Sequence, residues 1–371
     1  MKYVDEFRDA DACQQTVDAI RSEATRCWTI MEVCGGQTHG LLRWGIDQQL
    51  ASVVRLLHGP GCPVCVTSVG LIDTAVALAK RPGVMVTSFG DMLRVPGTSE
   101  SLLQARAGGG NVKLVYSPLD AVRLARETPE TEVVFFAVGF ETTTPATALA
   151  VKQAAAWDLR NFSLLVAHVC VQPAMELIAA EEPRLVDGFL AAGHVCTVTG
   201  YQSYELLVSQ YRLPVVVTGF EPLDLLVGIR ECVRLLERHE PQLANCYARC
   251  VAETGNRHAQ NHVADVFEAV DRDWRGLGTI QRGGLALKGP WRRFDAKRKF
   301  SVEAVGDVEL PICPAGDVMT GRLRPTDCPH YGSTCTPETP QGAPMVSSEG
   351  ACAAYYRYAP PQNSAPKTLL S

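Results

Sequence analysis

Apolar residues follow two alternating patterns along most of this chain. Short runs rich in β-branched and other apolar residues, at 53–57, 84–89, 133–138 and 215–217, predict buried strands. Amphipathic stretches lie between these runs and predict helices. Strands that are apolar on both faces and alternate with helices are typical of parallel sheets covered by helices on both sides. The pattern therefore predicts an α/β protein.

The same pattern divides the chain into four parts. Residues 1–25 predict an N-terminal helical extension, and residues 26–128 and 129–243 predict two α/β domains, each a parallel sheet flanked by helices. After that the apolar runs shorten, and the tail is rich in Pro, Gly, Thr and Cys. A loop-built segment of this kind needs a covalent or metal staple. We therefore expect residues 244–371 to form a separate, loop-rich C-terminal domain.

The composition indicates which cellular compartment and which classes of binding partner to expect. The chain has 371 residues, a formal net charge of -5 and 14 cysteines. No basic stripe with interleaved aromatic residues occurs, which argues against nucleic-acid binding. We find no signal peptide and no uncharged apolar stretch of about 18 residues, so we expect a cytoplasmic protein without a membrane span. Because disulfide frameworks are rare in the reducing cytoplasm, metal binding or thiol chemistry explains so many cysteines better.

A C-x-x-C pair, Cys62 and Cys65, follows the predicted strand at 53–57, where a helical pattern begins. Backbone N–H groups and the helix dipole at such a turn lower a thiol pKa and favour thiolate. Three interpretations of the pair are open. It is a dithiol/disulfide couple, a pair of iron or zinc ligands, or two structural cysteines in a tight Gly-Pro turn.

An earlier predicted strand ends in Cys34, which is followed by two glycines and, five residues on, by His39. The glycines let the backbone turn tightly and leave the sulfur open. A Cys–His pair for acyl transfer and a single metal ligand are equally compatible with this arrangement. For His39, a local hydrogen bond is as good an explanation as a chemical role.

Three other predicted strands end in glycine, phenylalanine and an acid. In parallel sheets, ligands bind beyond the carboxyl ends of the strands, so we expect these ends to share a cleft. Each acid there acts as a general acid or base, or caps the following helix. The same ambiguity applies to His194. The residues expected at this common cleft are Cys34, Cys62, Cys65, Asp91, Glu141 and Glu221.

The tail contains four cysteines in the pattern C-x14-C-x6-C-x16-C. Four thiolates on irregular backbone hold an iron–sulfur cluster or a structural zinc ion. Zinc ligands usually occur as close pairs, so the wide single spacings favour the cluster, and a purely structural role is the third interpretation. These cysteines are Cys313, Cys328, Cys335 and Cys352.

Together these motifs resemble the HypD family of [NiFe]-hydrogenase maturation proteins. The chain has Gln37 where the family often has histidine. It has Ala315 where the family tends to have a cysteine, with Cys313 two residues earlier. The stretches that carry the resemblance follow one another along nearly the whole chain, at 31–39, 58–65, 89–97, 139–143, 193–195, 219–224, 274–278 and 345–355.

The resemblance implies a metallocofactor-assembly scaffold with redox activity. Such a protein joins a HypC-type chaperone and carries an iron while it acquires the ligands of an Fe(CN)2CO moiety, the cyanide coming through a HypE-type partner. By the motif match, Cys34 would bind this iron together with the chaperone. Cys62 and Cys65 would lie beside it as redox-active thiols or iron ligands. The four tail cysteines would bind a [4Fe–4S] cluster.

Two rival classes of function compete with this interpretation. A stand-alone thiol-disulfide oxidoreductase would turn over generic disulfides without bound iron, and it leaves Cys34 unexplained. A zinc-stapled binding module would have no redox role. The colour of anaerobically purified protein separates the last class from the others, because a cluster is brown and zinc is colourless.

Overall fold

The computed structural model describes residue 2 and residues 4–302 and 313–359. Its strands are β1 (Trp28–Glu32), β2 (Val54–His58), β3 (Val84–Ser88), β4 (Val112–Leu114), β5 (Glu132–Gly139), β6 (Phe162–His168), β7 (Gly188–Ala192), β8 (Val215–Thr218), β9 (Leu243–Asn245), β10 (Phe267–Trp274) and β11 (Gly278–Leu287).

Helices follow most of these strands. The first nine are α1 (Ala10–Glu23), α2 (Gly35–Arg43), α3 (Ile46–Leu50), α4 (Pro63–Val66), α5 (Val69–Ala79), α6 (Gly90–Arg94), α7 (Leu102–Ala107), α8 (Pro118–Glu127) and α9 (Thr144–Ala156). They continue with α10 (Val171–Ala179), α11 (Gly193–Thr199), α12 (Glu205–Tyr211), α13 (Pro222–Glu237), α14 (Arg257–Val266), α15 (Ala296–Lys299), α16 (Ala315–Met319), α17 (Ala343–Val346) and α18 (Ala351–Tyr358). Short 3-10 turns cover Asp5–Phe7, Gln202–Tyr204, Gly289–Phe294 and Pro325–Asp327.

Two parallel sheets form the body of the protein. The first sheet has the strand order β2-β1-β7-β8-β9, and the second has the order β4-β3-β5-β6. Every strand pair within them is parallel. Strands β10 and β11 form a separate antiparallel hairpin. The predicted α/β class with parallel sheets and flanking helices is therefore confirmed, whereas the iron–sulfur character of the C-terminal part stays a prediction.

The two sheets are interleaved along the chain. The first sheet begins with β1 and β2, the chain then completes the second sheet, and it returns to the first sheet with β7. Strand pairing crosses the limit predicted between residues 128 and 129, because β3 pairs with β5 from Val84↔Glu132 to Thr87↔Phe135. Apolar patterning identifies strands, but it contains no information on which distant strands pair. The division of the sheets therefore differs from the division predicted along the sequence.

The second sheet shows why the apolar runs become strands. All the residues of β5 from Val133 to Gly139 are buried, and Phe135 and Phe136 have no exposed surface. A strand that is covered on both faces gains about 1.5–3 kcal/mol for each large apolar side chain that it buries. The N-terminal extension contains α1, which packs against α13. Within the described ranges, no helix combines the length and the apolar character needed to cross a bilayer.

The C-terminal segment packs on the sheets rather than standing apart. Met319, Ala343 and Val346 belong to the same buried cluster as Cys34 and Cys62. Arg275, in the turn between β10 and β11, donates hydrogen bonds to the carbonyls of residues 67 and 96, which fixes the hairpin against the segments that follow β2 and β3. The described tail thus covers the ends of the strands where the sequence places its chemistry.

Candidate functional site

The carboxyl ends of β1, β2, β7 and β8 lie side by side at one edge of the first sheet, which we call edge one. Cys34 follows β1 and His194 follows β7. The Sγ atom of Cys34 lies 3.8 Å from Nδ1 and 4.0 Å from Nε2 of His194. Phe220, which follows β8, packs edge-on against His194 with 5.2 Å between ring centroids. Three strand ends thus converge on one thiol.

Glycines let the motifs of β1 and β2 approach closely. A Cβ atom at Gly61 would lie 2.3 Å from the backbone nitrogen of Cys34, so no side chain fits there. The carbonyl of Gly61 accepts a hydrogen bond from the N–H of Gly35 at 3.1 Å. The two cysteine motifs therefore touch through their backbones.

A fully buried carboxylate, Glu32, fixes this arrangement. One of its oxygens accepts the N–H of Cys34 at 2.7 Å. The other lies 2.8 Å from Nδ1 of His58 and accepts the hydroxyl of Thr38. Nε2 of His58 in turn lies 3.0 Å from the hydroxyl of Tyr355 in the C-terminal segment. A buried carboxylate that accepts several hydrogen bonds holds the donor groups in fixed positions.

Sequence reasoning missed Glu32 and His58 as site residues. A signal was available, since the two residues are the last of their strands and pair directly in register. An acid and a histidine that end two neighbouring strands immediately before two cysteine motifs indicate a supporting network. Gln37 has a structural role as well, because its amide nitrogen donates to the hydroxyl of Thr218 at 2.7 Å.

Burial controls the charge of Cys34. Burial, together with the negative charge of Glu32, raises the thiol pKa to about 12, although the backbone N–H groups of Gln37 and Gly36 oppose the shift. The free thiol is therefore protonated at neutral pH. A bound cation would displace that proton, as metal binding to cysteine generally does.

Cys62 and Cys65 form a disulfide at edge one, and both are buried. Cys62 caps α4, and the N–H of Cys65 points to its sulfur at 3.1 Å. The pair lines a small pocket with Gly35, Met319 and Pro344, among other residues. The disulfide therefore lies between the backbone beside Cys34 and the C-terminal segment. Whether this pair also binds iron stays a prediction.

His39 occupies a different environment from the one its spacing suggests. Its ring packs edge-on against Tyr358 at 5.5 Å, and its Nδ1 lies 3.5 Å from the Tyr358 hydroxyl. Its Nε2 is buried and has no hydrogen-bond partner among the described residues. Burial lowers the pKa of this imidazole. The histidine that contacts Cys34 is His194, which the sequence marked as ambiguous.

The three predicted acids do not converge. Oδ2 of Asp91 accepts the N–H and the hydroxyl of Ser348, each at 2.8 Å. Glu221 caps α13 and accepts the guanidinium of Arg8, with 2.9 Å to one oxygen. Each acid is bound to its own local partner.

Glu141 has a buried carboxylate oxygen, Oε2. One of its oxygens accepts the N–H of Val171 at 2.9 Å, and burial raises the carboxyl pKa to about 7. Asp91 and Glu141 follow strands of the second sheet, at its own carboxyl edge, which we call edge two. The single cleft expected from the sequence is therefore divided between two sheets, because strands with similar ends pair in different sheets.

The four tail cysteines line one cavity, together with residues such as Tyr331 and Pro344. Burial and the neighbouring thiols raise the pKa of Cys313 to about 11, and the same two causes raise the pKa of Cys352. Within the described ranges, no group of three or more histidines, cysteines or acids could hold a single metal ion. A four-iron cluster binds each thiolate through a different iron, so four separated thiols around one cavity fit a cluster.

Pro344 lines both this cavity and the pocket of the Cys62–Cys65 disulfide. The short helix α17, which contains Pro344, therefore lies between the two groups of cysteines. Among the described residues, no other side chain is common to the two linings.

Known proteins of one family match this chain over nearly its whole length. The family model HypD, described as "Hydrogenase formation hypA family", matches residues 11–359. The hydrogenase maturation factor HypD of Escherichia coli (strain K12) is 44% identical over 366 residues, which cover 96% of this chain and 98% of that protein. The HypD of Azotobacter vinelandii is 45% identical over 367 residues, covering 96% of this chain and 97% of that protein. HypD2 of Bradyrhizobium diazoefficiens is 44% identical, with 96% and 97% covered.

Proposed function

The chain belongs to the HypD family of hydrogenase maturation factors, and from this premise we propose that it is a scaffold for assembling the Fe(CN)2CO moiety of [NiFe]-hydrogenase. The iron is the cargo of this scaffold. The scaffold works with a HypC-type chaperone and receives cyanide through a HypE-type partner. We place this assembly in the cytoplasm.

The convergence of Cys34, His194 and the Cys62–Cys65 pair at edge one carries the proposal. Cys34 is the iron ligand, since a thiolate is a soft ligand that suits iron bearing cyanide and carbon monoxide. The aromatic ring of Phe220 and the C-terminal segment keep water from the thiol, which is only 6% exposed. Glu32 holds the backbone of Cys34 in place.

The Cys62–Cys65 pair is the redox-active group beside the iron. Opening the disulfide takes up two electrons and two protons and yields two thiols. Its position against the backbone of Cys34, through Gly61 and Gly35, places this chemistry next to the cargo.

The C-terminal cysteines hold the resident cofactor in this proposal. Cys313, Cys328, Cys335 and Cys352 would bind a [4Fe–4S] cluster, which supplies single electrons when bound. The protein's own contribution is burial, because Cys335 is 8% exposed and the other three are at most partly exposed. Pro344 lines both the cluster site and the disulfide pocket, so helix α17 lies between the two sites.

A generic thiol-disulfide oxidoreductase is less well supported. Cys62 and Cys65 are 5% and 1% exposed, so a folded substrate protein reaches them only if the C-terminal segment moves. Insulin reduction measures that activity directly. Turnover without bound iron, at rates typical of dithiol oxidoreductases, would favour the rival function.

Infrared spectroscopy of the anaerobic complex with a HypC-type chaperone tests the proposal. We expect cyanide and carbonyl stretching bands in the complex and their loss in Cys34→Ala. The matched control is Cys27→Ala, because Cys27 is a free, exposed cysteine that should not affect the bands. Iron bound without these bands, or unchanged bands in Cys34→Ala, would contradict the proposal.

A further inference from the structure

The N-terminal segment reaches edge one. Its 3-10 turn, Asp5–Phe7, comes shortly before α1, and we call residues 5–8 the strap. Phe7 and Arg8 contact residues that follow β9 and β8, far away in the sequence. The proposed function does not use these contacts, although they lie close to the thiol that it places at the centre of the site.

Phe220 lies beside the opening that leads to Cys34. Gly36 is exposed, and a Cβ atom placed on it would lie 3.6 Å from Sγ of Cys34 and 3.2 Å from Cδ1 of Phe220. The sulfur and the ring therefore flank the same point at the surface. The ring also packs edge-on against His194, which contacts the sulfur. Since Cys34 is only 6% exposed, this ring has to move before a ligand reaches the sulfur from here.

A stack of side chains leads from the strap to this ring. Tyr247 packs edge-on against Phe220, with 6.3 Å between ring centroids. The guanidinium carbon of Arg249 lies 4.5 Å from the ring centroid of Tyr247 and 3.7 Å from that of Phe7. Asp224 fixes Arg249, because its two carboxylate oxygens accept hydrogen bonds from the guanidinium at 2.7 and 2.6 Å. Phe7 thus forms the outer end of the stack.

Arg8 reaches the ring by a shorter route. Its guanidinium donates to the carboxylate of Glu221, the residue that follows Phe220, with 2.9 Å to one oxygen. The strap therefore contacts the chain neighbour of Phe220 through Arg8, and it supports the aromatic neighbour of Phe220 through Phe7. Both contacts restrict movement of the ring.

The attachments of the strap are weak enough to break without unfolding the protein. Arg8 and Glu221 are 44% and 23% exposed, and exposed ion pairs contribute little because water and salt screen them. The cation–π contact of Phe7 is also a modest interaction. Local opening of such a segment costs much less than global unfolding. The ring of Phe220, by contrast, packs against the buried cluster that contains Cys34.

We propose that the strap holds the ring of Phe220 beside Cys34, and that release of the strap lets the ring move away and opens the sulfur to incoming iron. The purpose of this opening rests on the proposed function, because iron is the cargo only there. Access to the thiol is measured without iron, so the two proposals fail separately. Missing cyanide and carbonyl bands would remove the cargo and leave the control of access in place.

Alkylation of the full, anaerobically purified chain by N-ethylmaleimide tests the proposal, with peptide mass spectrometry to follow each cysteine. Phe7→Ala combined with Arg8→Ala removes both attachments and should speed the labelling of Cys34 about tenfold, as expected for the loss of two weak contacts. Labelling of the exposed Cys27 should not change. Labelling of the fully buried Cys232 should stay slow, because it reports global opening.

The matched control is Arg230→Ala. Arg230 and Glu23 join α13 to α1 through an ion pair whose side chains are 40% and 30% exposed, much like the pair of Arg8. This pair lies about two and a half turns further along α13 than Glu221. Its loss should leave the labelling of Cys34 as in the parent. Equally fast labelling in this control and in the strap variant, or an unchanged rate in the strap variant, would overturn the proposal.

A double-mutant cycle with Phe220→Ala tests whether the strap acts through the ring. Phe220→Ala alone should label Cys34 faster than the strap variant does. Adding the strap substitutions to Phe220→Ala should have no further effect, since the ring that they release is already absent. A further rise would show that the strap acts elsewhere, and an equal rise at Cys232 would mean general unfolding. Either result would overturn the proposal.

Arg8→Glu keeps the test decisive if Phe220→Ala fails to fold. The substitution changes an exposed side chain and places a carboxylate opposite Glu221, which should repel the strap. Labelling of Cys34 should become faster than in the parent, and the difference should shrink in high salt because the repulsion is screened. An unchanged rate at low salt would overturn the proposal.

Discussion

The carboxyl edges of the two sheets differ in how their polar groups are paired. At edge one, three strand ends face each other, and Glu32 receives donors from Cys34, Thr38 and His58. At edge two, Asp91 and Glu141 each have a separate partner, and one oxygen of Glu141 has none among the described residues.

The difference shows what a strand-end motif specifies. Glu141 and Glu221 both follow a strand, a glycine and a phenylalanine, yet they lie at different sheets. One caps α10 from a distance, and the other caps the helix that it precedes. The motif places an acid at the edge of a sheet, whereas strand pairing determines which groups that acid meets.

Removal of Glu32 should have the largest effect on stability. Glu32→Ala leaves His58 and the N–H of Cys34 without their buried partner, which we expect to cost about 3–5 kcal/mol in free energy of unfolding. Glu141→Ala removes a carboxylate that binds only backbone donors such as the N–H of Val171, and it should cost no more than about 1–2 kcal/mol. Urea unfolding of both variants measures the difference. Equal losses would show that the two edges are organised alike.

Glu141 should also make the free energy of unfolding depend on pH. Its pKa of about 7 in the folded protein is above the ordinary value of 4.5, so its contribution is fully present below pH 4.5 and is lost as pH rises through 7. The loss is at most about 3 kcal/mol. Glu141→Gln should therefore gain stability relative to the parent between pH 4.5 and 7, and no further above it.

Unfolding curves at several pH values check this result. Glu205→Gln changes an exposed carboxylate and is the control, because its stability difference from the parent should not vary with pH. The difference between variant and parent is the relevant quantity, because His168 acts in the opposite direction. Burial lowers the pKa of His168 to about 4, so its contribution rises with pH between 4 and 6.5. A pH-independent difference would contradict the assigned environment of Glu141.

Asp91 should control the order of the C-terminal segment. Asp91→Ala removes the acceptor of the N–H and hydroxyl of Ser348, a loss of about 1–3 kcal/mol that should open this segment locally. Amide hydrogen exchange at Ser348 should become faster. Asp73→Ala is a matched control, because Asp73 accepts the N–H and hydroxyl of Thr98 in the same way. Equally fast exchange at Ser348 in both variants would show that Asp91 does not order the C-terminal segment.

The ion pair between Arg8 and Glu221 should have the smallest effect. The two side chains are 44% and 23% exposed, so Arg8→Ala should lower the free energy of unfolding by less than any of the changes above. The cost should fall further in high salt, because exposed charges are screened. Thermal unfolding at two salt concentrations measures it. A loss as large as that of Asp91→Ala would mean that the N-terminal segment supports edge one more strongly than an exposed pair can.

The sequence predicted the elements better than their partners. The apolar runs that become β3, β5 and β8 were recognisable, and so was the position of Cys34 at a strand end. The neighbours of Cys34 were not, because β1 pairs with β7 and the two strands are far apart in the chain. Spacing suggested His39, which is closer in sequence, but helix α2 carries it to Tyr358, while β7 delivers His194.

The tail illustrates the same limit. The spacing of its four cysteines predicted a shared site, and all four line one cavity. The proximity of that cavity to the Cys62–Cys65 disulfide, through Pro344, depends on the fold of α17 over the sheets. Such proximity results from packing between distant segments, which local residue patterns do not encode.

Interleaving of the sheets also sets an order of folding during synthesis. The strands of the second sheet are contiguous in sequence and can pair as soon as β6 has left the ribosome. The first sheet stays incomplete until β7 and β8 emerge. Even then, pairing strands that are far apart in sequence is slow, because closing the long loop between them costs entropy. The thiols of Cys34, Cys62 and Cys65 therefore spend this interval unshielded in the nascent chain. These three sulfurs become buried only once the last strands and the tail have packed over them.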